Sequence, residues 1–162
     1  MQPERTRTFS WADPLITAQA AGELSGLEAV RAIMNGELPP PPIASLLDFE
    51  IVRVERGRVI FALEPAEWMY NPIGSVHGGV ASTLLDSALG CAVHTVLEAG
   101  VRYTTSDLHV RFVRPMRADT GRVLADCHAV HVGRRLATAE GKLVAEDGGT
   151  LFAHATTSCL IL

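Results

Sequence analysis

The segment with the clearest chemical character runs from Asn71 to Asp86, near the middle of a chain of 162 residues. His77, Gly78 and Gly79 precede a stretch with helical apolar periodicity. Paired glycines allow a sharp turn into a helix start, where free backbone amides and the positive end of the helix dipole stabilise a developing oxyanion. Asp86 is the only acidic residue of that helical stretch. The segment therefore predicts an active site with an oxyanion-binding turn and one carboxylate.

The helix predicted over residues 79–97 has one apolar face and one face of small residues. Asp86 lies on the second face, with Ser82 four residues before it and Gly90 four residues after it. A solvated helix face normally carries Lys, Glu and Arg, and a glycine inside a helix costs about 1 kcal/mol relative to alanine. We therefore expect another element to approach this face closely, and we predict a functional role for Asp86.

The spacing of the two reactive groups constrains the site. Gly78 and Asp86 lie eight residues apart, which is about 12 Å along one helix. An oxyanion donor and the group attacking the same carbonyl must both lie within about 3.5 Å of the reacting atoms, so one helix cannot supply both. An antiparallel pairing of the small-residue faces of two copies would bring Gly78 of one copy near Asp86 of the other. We predict a homodimer with two shared sites.

The elements that must position these residues are two helices and six strands. Ser25 and Glu28 have the spacing of a capping box, which predicts a helix over residues 25–35, and an extended connector follows at Pro39–Pro42. A phase flip near Ile51 in the alternation of apolar residues is typical of a β-bulge. The predicted strands cover 47–55, 59–63, 102–114, 121–132, 135–146 and 150–160. Residues 1–24 are predicted to form an N-terminal arm, and residues 25–162 a single α+β domain.

Composition disfavours several classes of function. The net charge is −4 and the 14 basic residues are dispersed, which argues against nucleic-acid binding. Three widely spaced cysteines indicate neither a disulfide framework nor a zinc site and suit a reducing cytoplasm. No stretch of 18 uncharged apolar residues is present. We expect a cytoplasmic protein with no membrane span, metal or cofactor.

The pattern N-x-x-G-x-x-H-G-G-x-x-x-x-x-x-D resembles that of the PaaI-like acyl-CoA thioesterases of the hotdog superfamily. It is formed here by Asn71, Gly74, His77, Gly78, Gly79 and Asp86. The stretch 36–42 and the segment ending at Pro115 are also similar, so the resemblance spans roughly residues 25–160. It implies a hotdog fold, in which an antiparallel sheet wraps one long central helix, here with an N-terminal helical extension. It also implies homodimers and often homotetramers.

The resemblance further implies roles for individual residues. Asp86 would act as nucleophile or as general base for water, and the Gly78 amide would polarise the thioester carbonyl. Asn71 would orient the thioester or the attacking water, or would only form an Asx turn. His77 would contact the substrate or only cap the turn. Thr105 would position water, although neighbouring hydroxyls meet the same need after a one-residue slip of the strand.

Substrate binding involves a second group of candidates. Trp68 and Tyr70 would wall the acyl pocket or plug the end of the core. Arg134 and Arg135 would meet coenzyme A phosphates from a hairpin tip, or would only belong to an exposed turn. The rival candidates for the phosphate contact are Arg111, Arg114 and Arg117. The full set of predicted substrate-binding residues is Gly79, Ser87, Trp68, Tyr70, Arg134 and Arg135.

The predicted function is hydrolysis of an acyl-CoA, short to medium in chain length or aromatic, to the free acid and CoA. The main alternative is an acyl-CoA-binding hotdog protein without catalysis. A further alternative is a hotdog enoyl-CoA hydratase or dehydratase, which would need a catalytic His with a differently spaced acid.

Overall fold

A computed structural model describes residues 4–162 of the chain; residues 1–3 of the predicted N-terminal arm lie outside it. Within residues 4–162, four α-helices, six β-strands and a short 3₁₀ turn at Glu67–Met69 make up the regular structure. Their bounds are α1 Pro14–Glu23, α2 Gly26–Met34, α3 Pro42–Leu47, β1 Phe49–Glu55, β2 Arg58–Leu63, α4 Gly78–His94, β3 Tyr103–Phe112, β4 Val123–Val132, β5 Leu136–Ala145 and β6 Leu151–Ile161.

The six strands form one sheet in the order β1-β2-β4-β5-β6-β3, and every neighbouring pair is antiparallel. The β1–β2 hairpin shifts register between Ile51 and Arg53, so the predicted bulge is confirmed. A second shift, between Thr105 and Asp107, interrupts the pairing of β3 with β6. All six predicted strands are present, and each begins and ends within two residues of the predicted bounds.

Helix α4 lies against one face of this sheet and forms the centre of the core. Its fully buried side chains include Leu84, Leu85 and Leu89, which belong to the face predicted to be apolar. They pack with inward-facing residues of the strands, such as Val59 and Val123. The helix begins at Gly78 and ends at His94, slightly earlier than predicted. The predicted α+β hotdog architecture is confirmed.

The N-terminal region contains more helix than the sequence indicated. The capping box of α2 is present, since Ser25 and Glu28 each bond the other's backbone. Helix α1, which the sequence analysis did not identify, precedes it. The prediction of an extended connector through Pro42 was wrong at its end, because Pro42 begins α3. Proline fits the first helical turn, where its missing N–H would have no partner, and Asp48 ends α3 with a left-handed φ of 58°.

Within residues 4–162, no helix is both long and apolar enough to span a membrane.

Candidate active site

Asp86 and Thr105 face each other between α4 and β3. The Thr105 hydroxyl donates a hydrogen bond of 3.0 Å to Oδ1 of Asp86, and both residues are half-buried. Asp86 projects from the middle of α4, and the bulge of β3 begins directly after Thr105. The carboxylate is thus held by a neighbouring element and keeps Oδ2 free of any hydrogen bond from residues 4–162.

The register of β3 selects Thr105 over its neighbours as the partner of Asp86. Thr104 is exposed, and the hydroxyl of Ser106, also exposed, donates to the Ser158 carbonyl. The one-residue slip that the sequence left open is therefore absent. The catalytic roles of Asp86 and Thr105 stay predictions, whereas their contact is a feature of the structure.

Asp86 and Thr105 line an apolar cavity of about 380 Å³. Its walls come from the end of α2, the connector to α3, strands β1 and β2, helix α4 and the start of β3. The lining residues include Ile33, Met34, Pro41, Phe49, Phe61 and Tyr103. A volume of this size suits a small ligand. Sequence reasoning missed the contribution of residues 33–44, although the amphipathic pattern of α2 placed Ile33 and Met34 on its inner face.

Cys91 lies in the same cavity, one helical turn beyond Ser87. Burial, with a smaller contribution from the negative charge of Asp86, raises the pKa of the Cys91 thiol to about 12. The thiolate is the nucleophilic form of cysteine. Cys91 therefore stays a neutral thiol near neutral pH and is a poor nucleophile in this cavity.

The turn before α4 is capped by His77. Its Nδ1 accepts a hydrogen bond of 2.8 Å from the Gly79 amide, and its backbone amide donates to the Met69 carbonyl. This geometry matches the capping alternative for His77 and engages the Gly79 amide. The Gly78 amide, by contrast, donates to no acceptor within residues 4–162. It is the free N–H at the positive end of a 17-residue helix.

Asn71 braces the loop in front of that turn. Its Oδ1 accepts from the amides of Ile73 and Ser75 at 3.1 and 3.2 Å, and its Nδ2 donates to the Ser75 hydroxyl. The predicted Asx turn is thus present. An amide group has two N–H donors, so one donor of Asn71 is left over. Asn71 and Gly78 both line a second cavity of about 340 Å³, beside Phe112 and Met116.

The two cavities share no lining residue. Asp86 and Thr105 belong to the first, and Asn71 and Gly78 to the second. A single chain therefore presents the carboxylate and the free amide to different spaces, as the separation along the helix required.

The other predicted binding residues divide between these spaces and the surface. Ser87 lines the first cavity, and its hydroxyl donates to the Thr83 carbonyl at 2.8 Å. Trp68 and Tyr70 line neither cavity. The Arg7 guanidinium lies 3.6 Å from the centre of the Trp68 ring, and the Tyr70 hydroxyl accepts from the Ala118 amide.

Arg134 and Arg135 are exposed between β4 and β5 and line neither cavity. Their predicted contact with coenzyme A phosphates stays a prediction.

The element that approaches the small-residue face at Gly90 is strand β3. A Cβ added at position 90 would lie 2.9 Å from the Tyr103 hydroxyl oxygen. Gly90 thus correctly predicted that another element approaches α4 closely, but the sequence did not identify Tyr103 as the neighbour.

Comparison with known proteins adds an independent line of observation. Residues 73–152 match the family model described as the thioesterase superfamily. A Halobacterium salinarum protein named as a candidate esterase is 42% identical over 73 residues, which are 44% of this chain and 46% of that protein. The chain thus matches about half the length of this relative. A 1,4-dihydroxy-2-naphthoyl-CoA hydrolase of Listeria monocytogenes is 28% identical over 62% of this chain and 80% of its own.

A solved structure supports the same relationship. The phenylacetic acid degradation-related protein from Ralstonia eutropha, described as a candidate thioesterase, superposes with a TM-score of 0.73 at 28% identity. The match covers 81% of this chain and 98% of that one.

Proposed function

We propose that the chain hydrolyses an acyl-CoA to the free acid and CoA, because residues 73–152 match the thioesterase superfamily and the structure has the hotdog fold of the PaaI-like proteins. The observation that carries the proposal is the hydrogen bond from Thr105 to Asp86 in an apolar cavity. A half-buried carboxylate with one oxygen held and the other free is arranged to accept a proton. The adjoining apolar space suits an acyl group.

In the proposed reaction, Asp86 acts as general base. It takes a proton from a water molecule that the Thr105 oxygen helps to hold, and the water oxygen attacks the thioester carbonyl carbon. The resulting oxyanion is stabilised by a backbone amide at a helix start. When the oxyanion collapses, the C–S bond breaks. The thiolate of CoA leaves and takes up the proton from Asp86.

The oxyanion donor is proposed to be the Gly78 amide of a second copy of the chain. Within one chain Gly78 and Asp86 line separate cavities, and they are about 12 Å apart along α4. A two-fold arrangement that joins the first cavity of one chain to the second cavity of the other would bring amide and carboxylate to one carbonyl. It would produce two equal sites in each dimer.

The proposed substrate carries a short to medium or aromatic acyl group. The first cavity is lined mainly by apolar side chains and measures about 380 Å³, which suits a group of that size rather than a long fatty chain. The similar Listeria protein is named for an aromatic acyl-CoA, which is consistent with this choice. Arg134 and Arg135 are proposed to meet the nucleotide phosphates, since guanidinium groups pair well with phosphate.

The test is to measure thiol release from a panel of acyl-CoAs by the purified chain and by Asp86→Asn. Removal of a general base lowers rates by about 10² to 10⁴, so we expect a loss of kcat/KM in this range. Thr83→Ala is the matched control, because Thr83 lies on the same helix, lines neither cavity, and uses its hydroxyl only to donate to the Gly79 carbonyl.

Two results would contradict the proposal. One is the absence of hydrolysis with every acyl-CoA, which together with tight binding would identify a non-catalytic acyl-CoA-binding protein. The other is an Asp86→Asn variant as active as the native chain.

A further inference from the structure

Tyr103 carries a hydroxyl that the fold leaves without a partner. The residue begins β3 and lines the apolar cavity together with Asp86. Its hydroxyl makes no hydrogen bond to any group within residues 4–162, sulfur acceptors included. No side-chain nitrogen or oxygen within residues 4–162 is both sealed from solvent and unpartnered, so this hydroxyl is open to the cavity and available to a ligand there. Phenylalanine would fill the same space without placing a hydrogen-bond donor in the cavity, so the hydroxyl calls for an explanation.

Helix α4 makes room for this hydroxyl. Gly90 is buried, and a Cβ added there would lie 2.9 Å from the Tyr103 hydroxyl oxygen and 3.2 Å from its ring. An alanine at this position would displace the tyrosine. Glycine in the middle of a helix is destabilising. The position of the Tyr103 ring and hydroxyl therefore comes with a less stable helix.

The surroundings fix the chemical state of the hydroxyl. Burial raises the pKa of Tyr103 well above its usual value, and the nearby Cys91, Cys159 and Asp86 act in the same direction. The group is therefore a neutral phenol at physiological pH and retains its proton to donate. The His94 ring lies beside it, with ring centres 5.4 Å apart, and burial lowers the pKa of His94, so this neighbour adds no positive charge there.

The position of Tyr103 relative to Asp86 and Thr105 follows from the geometry of strand β3 and helix α4. Tyr103 and Thr105 are two residues apart on β3 and so lie on the same face of the strand. They oppose Gly90 and Asp86, which are four residues apart on α4. The phenolic hydroxyl therefore lies about 6 Å along the cavity from the Asp86–Thr105 pair, which is the rise of four helical residues.

We propose that Tyr103 is a specificity-determining residue that donates a hydrogen bond to an oxygen substituent of the acyl group. The preferred substrates then have an apolar body with a hydroxyl or keto oxygen about 6 Å from the thioester carbonyl. Gly90 acts with Tyr103 by leaving space for the hydroxyl. This inference rests on the proposed function, because it takes the cavity beside Asp86 as the acyl site.

The test compares matched ligands that differ only in the oxygen substituent. Benzoyl-CoA is paired with its 3-hydroxy and 4-hydroxy derivatives, and hexanoyl-CoA with 5-oxohexanoyl-CoA. Dissociation constants are measured by calorimetry in an Asp86→Asn background, so that binding is recorded without turnover. One buried hydrogen bond corresponds to about a tenfold change in affinity. We expect at least one oxygenated ligand to bind about tenfold more tightly than its parent.

Adding Tyr103→Phe to that background should bring the affinity ratio to within about twofold of one, whereas adding Thr83→Ala should leave it unchanged. Equal affinities for all pairs before the tyrosine is changed would overturn the inference. A ratio that survives Tyr103→Phe would also overturn it.

The two proposals fail separately. If the native chain hydrolyses none of these compounds but the affinity ratio depends on Tyr103, the hydrolase proposal fails and the role of Tyr103 stands. If hydrolysis occurs without any affinity ratio, only the role of Tyr103 fails.

Discussion

At the scale of single residues, the contact between Thr105 and Asp86 organises the proposed site. The threonine hydroxyl has one hydrogen, which it donates to Asp86 Oδ1. Its oxygen keeps lone pairs that can accept a hydrogen bond from water. Thr105 thus orients the carboxylate and also offers a place for the nucleophile.

Thr105→Val keeps the shape of this side chain and removes both functions. Hydrogen bonds to charged groups are worth about 1.5 to 3 kcal/mol, so we predict a 10- to 100-fold lower kcat, with KM little changed. Steady-state kinetics on the best acyl-CoA of the panel measure this. Thr105→Ser retains the hydroxyl and should recover most of the rate. Equal activity of the valine and serine variants would show that the hydroxyl has no part in the reaction.

Residue types and spacing predicted the site unevenly. The sequence alone singled out Asp86 and Gly78 as candidates, because an isolated acid and a glycine turn on an apolar helix have few structural uses. Asn71 and His77 could not be resolved between structural and catalytic roles, since both follow from the same loop sequence. Tyr103 was not found, because its significance depends on facing Gly90 across 13 residues of sequence.

At the scale of elements, the outer face of the sheet is held in part by an ion pair between neighbouring strands. Arg58 of β2 makes two hydrogen bonds, of 2.8 and 2.7 Å, to the carboxylate of Asp126 on β4. The hydrogen bond from Arg58 is the main cause of a lowered pKa of Asp126, with burial acting against it. The pair is partly exposed, with 39% and 22% of the two side chains accessible.

A lowered pKa in the folded state means that this contribution to stability is complete above the ordinary value of 3.8 and is lost as the pH falls through the folded value. We predict that Asp126→Asn lowers the free energy of unfolding by about 1 kcal/mol at pH 7, and by progressively less as the pH drops below 4. Urea unfolding at several pH values measures the difference.

Glu55→Gln is the matched control, because Glu55 pairs with Arg53 of its own strand and both side chains are about half exposed. Its effect should stay below about 0.5 kcal/mol. A pH-independent cost of Asp126→Asn would mean that packing, rather than charge, is responsible.

The elements differed in how far local sequence determines them. The strands were predictable because each alternates clearly between turn signals, and the bulge at Ile51 appeared as a change of phase. Helix α1 has a start signal, since Asp13 caps it and Pro14 is its first residue, but it has no periodicity: no residue of it is buried, and its apolar side chains do not gather on one face. The start of helix α3 could not be predicted from Pro42, because proline permits a helix start as readily as an extended chain.

At the scale of the whole molecule, the proposed site needs two chains, and this can be tested by complementation. Asp86→Asn removes the base, and Gly78→Val places a side chain in the second cavity, against the Phe112 ring that lies 3.0 Å from an added Cβ. Each variant alone should be nearly inactive. In a randomly reassociated equal mixture, half of the dimers carry one site with both groups intact, so about a quarter of the native activity should return.

The complementation experiment distinguishes a site shared between two chains from a site formed within one chain. If each chain supplied both groups to its own site, every site in the mixture would carry one of the two defects. No activity would then be recovered, and the shared-site proposal would fail.

The first cavity draws part of its wall from outside the stretch that matches the family. Asp86 and Thr105 lie within the family match at residues 73–152, whereas the wall residues between Ile33 and Ala44 lie wholly before it. Substitutions in the upstream stretch can alter which acyl groups fit without touching the carboxylate or the turn. Within the proposed site, relatives that keep Asp86, Thr105 and the glycine turn can therefore acquire different acyl preferences by changing the five wall residues of this upstream stretch.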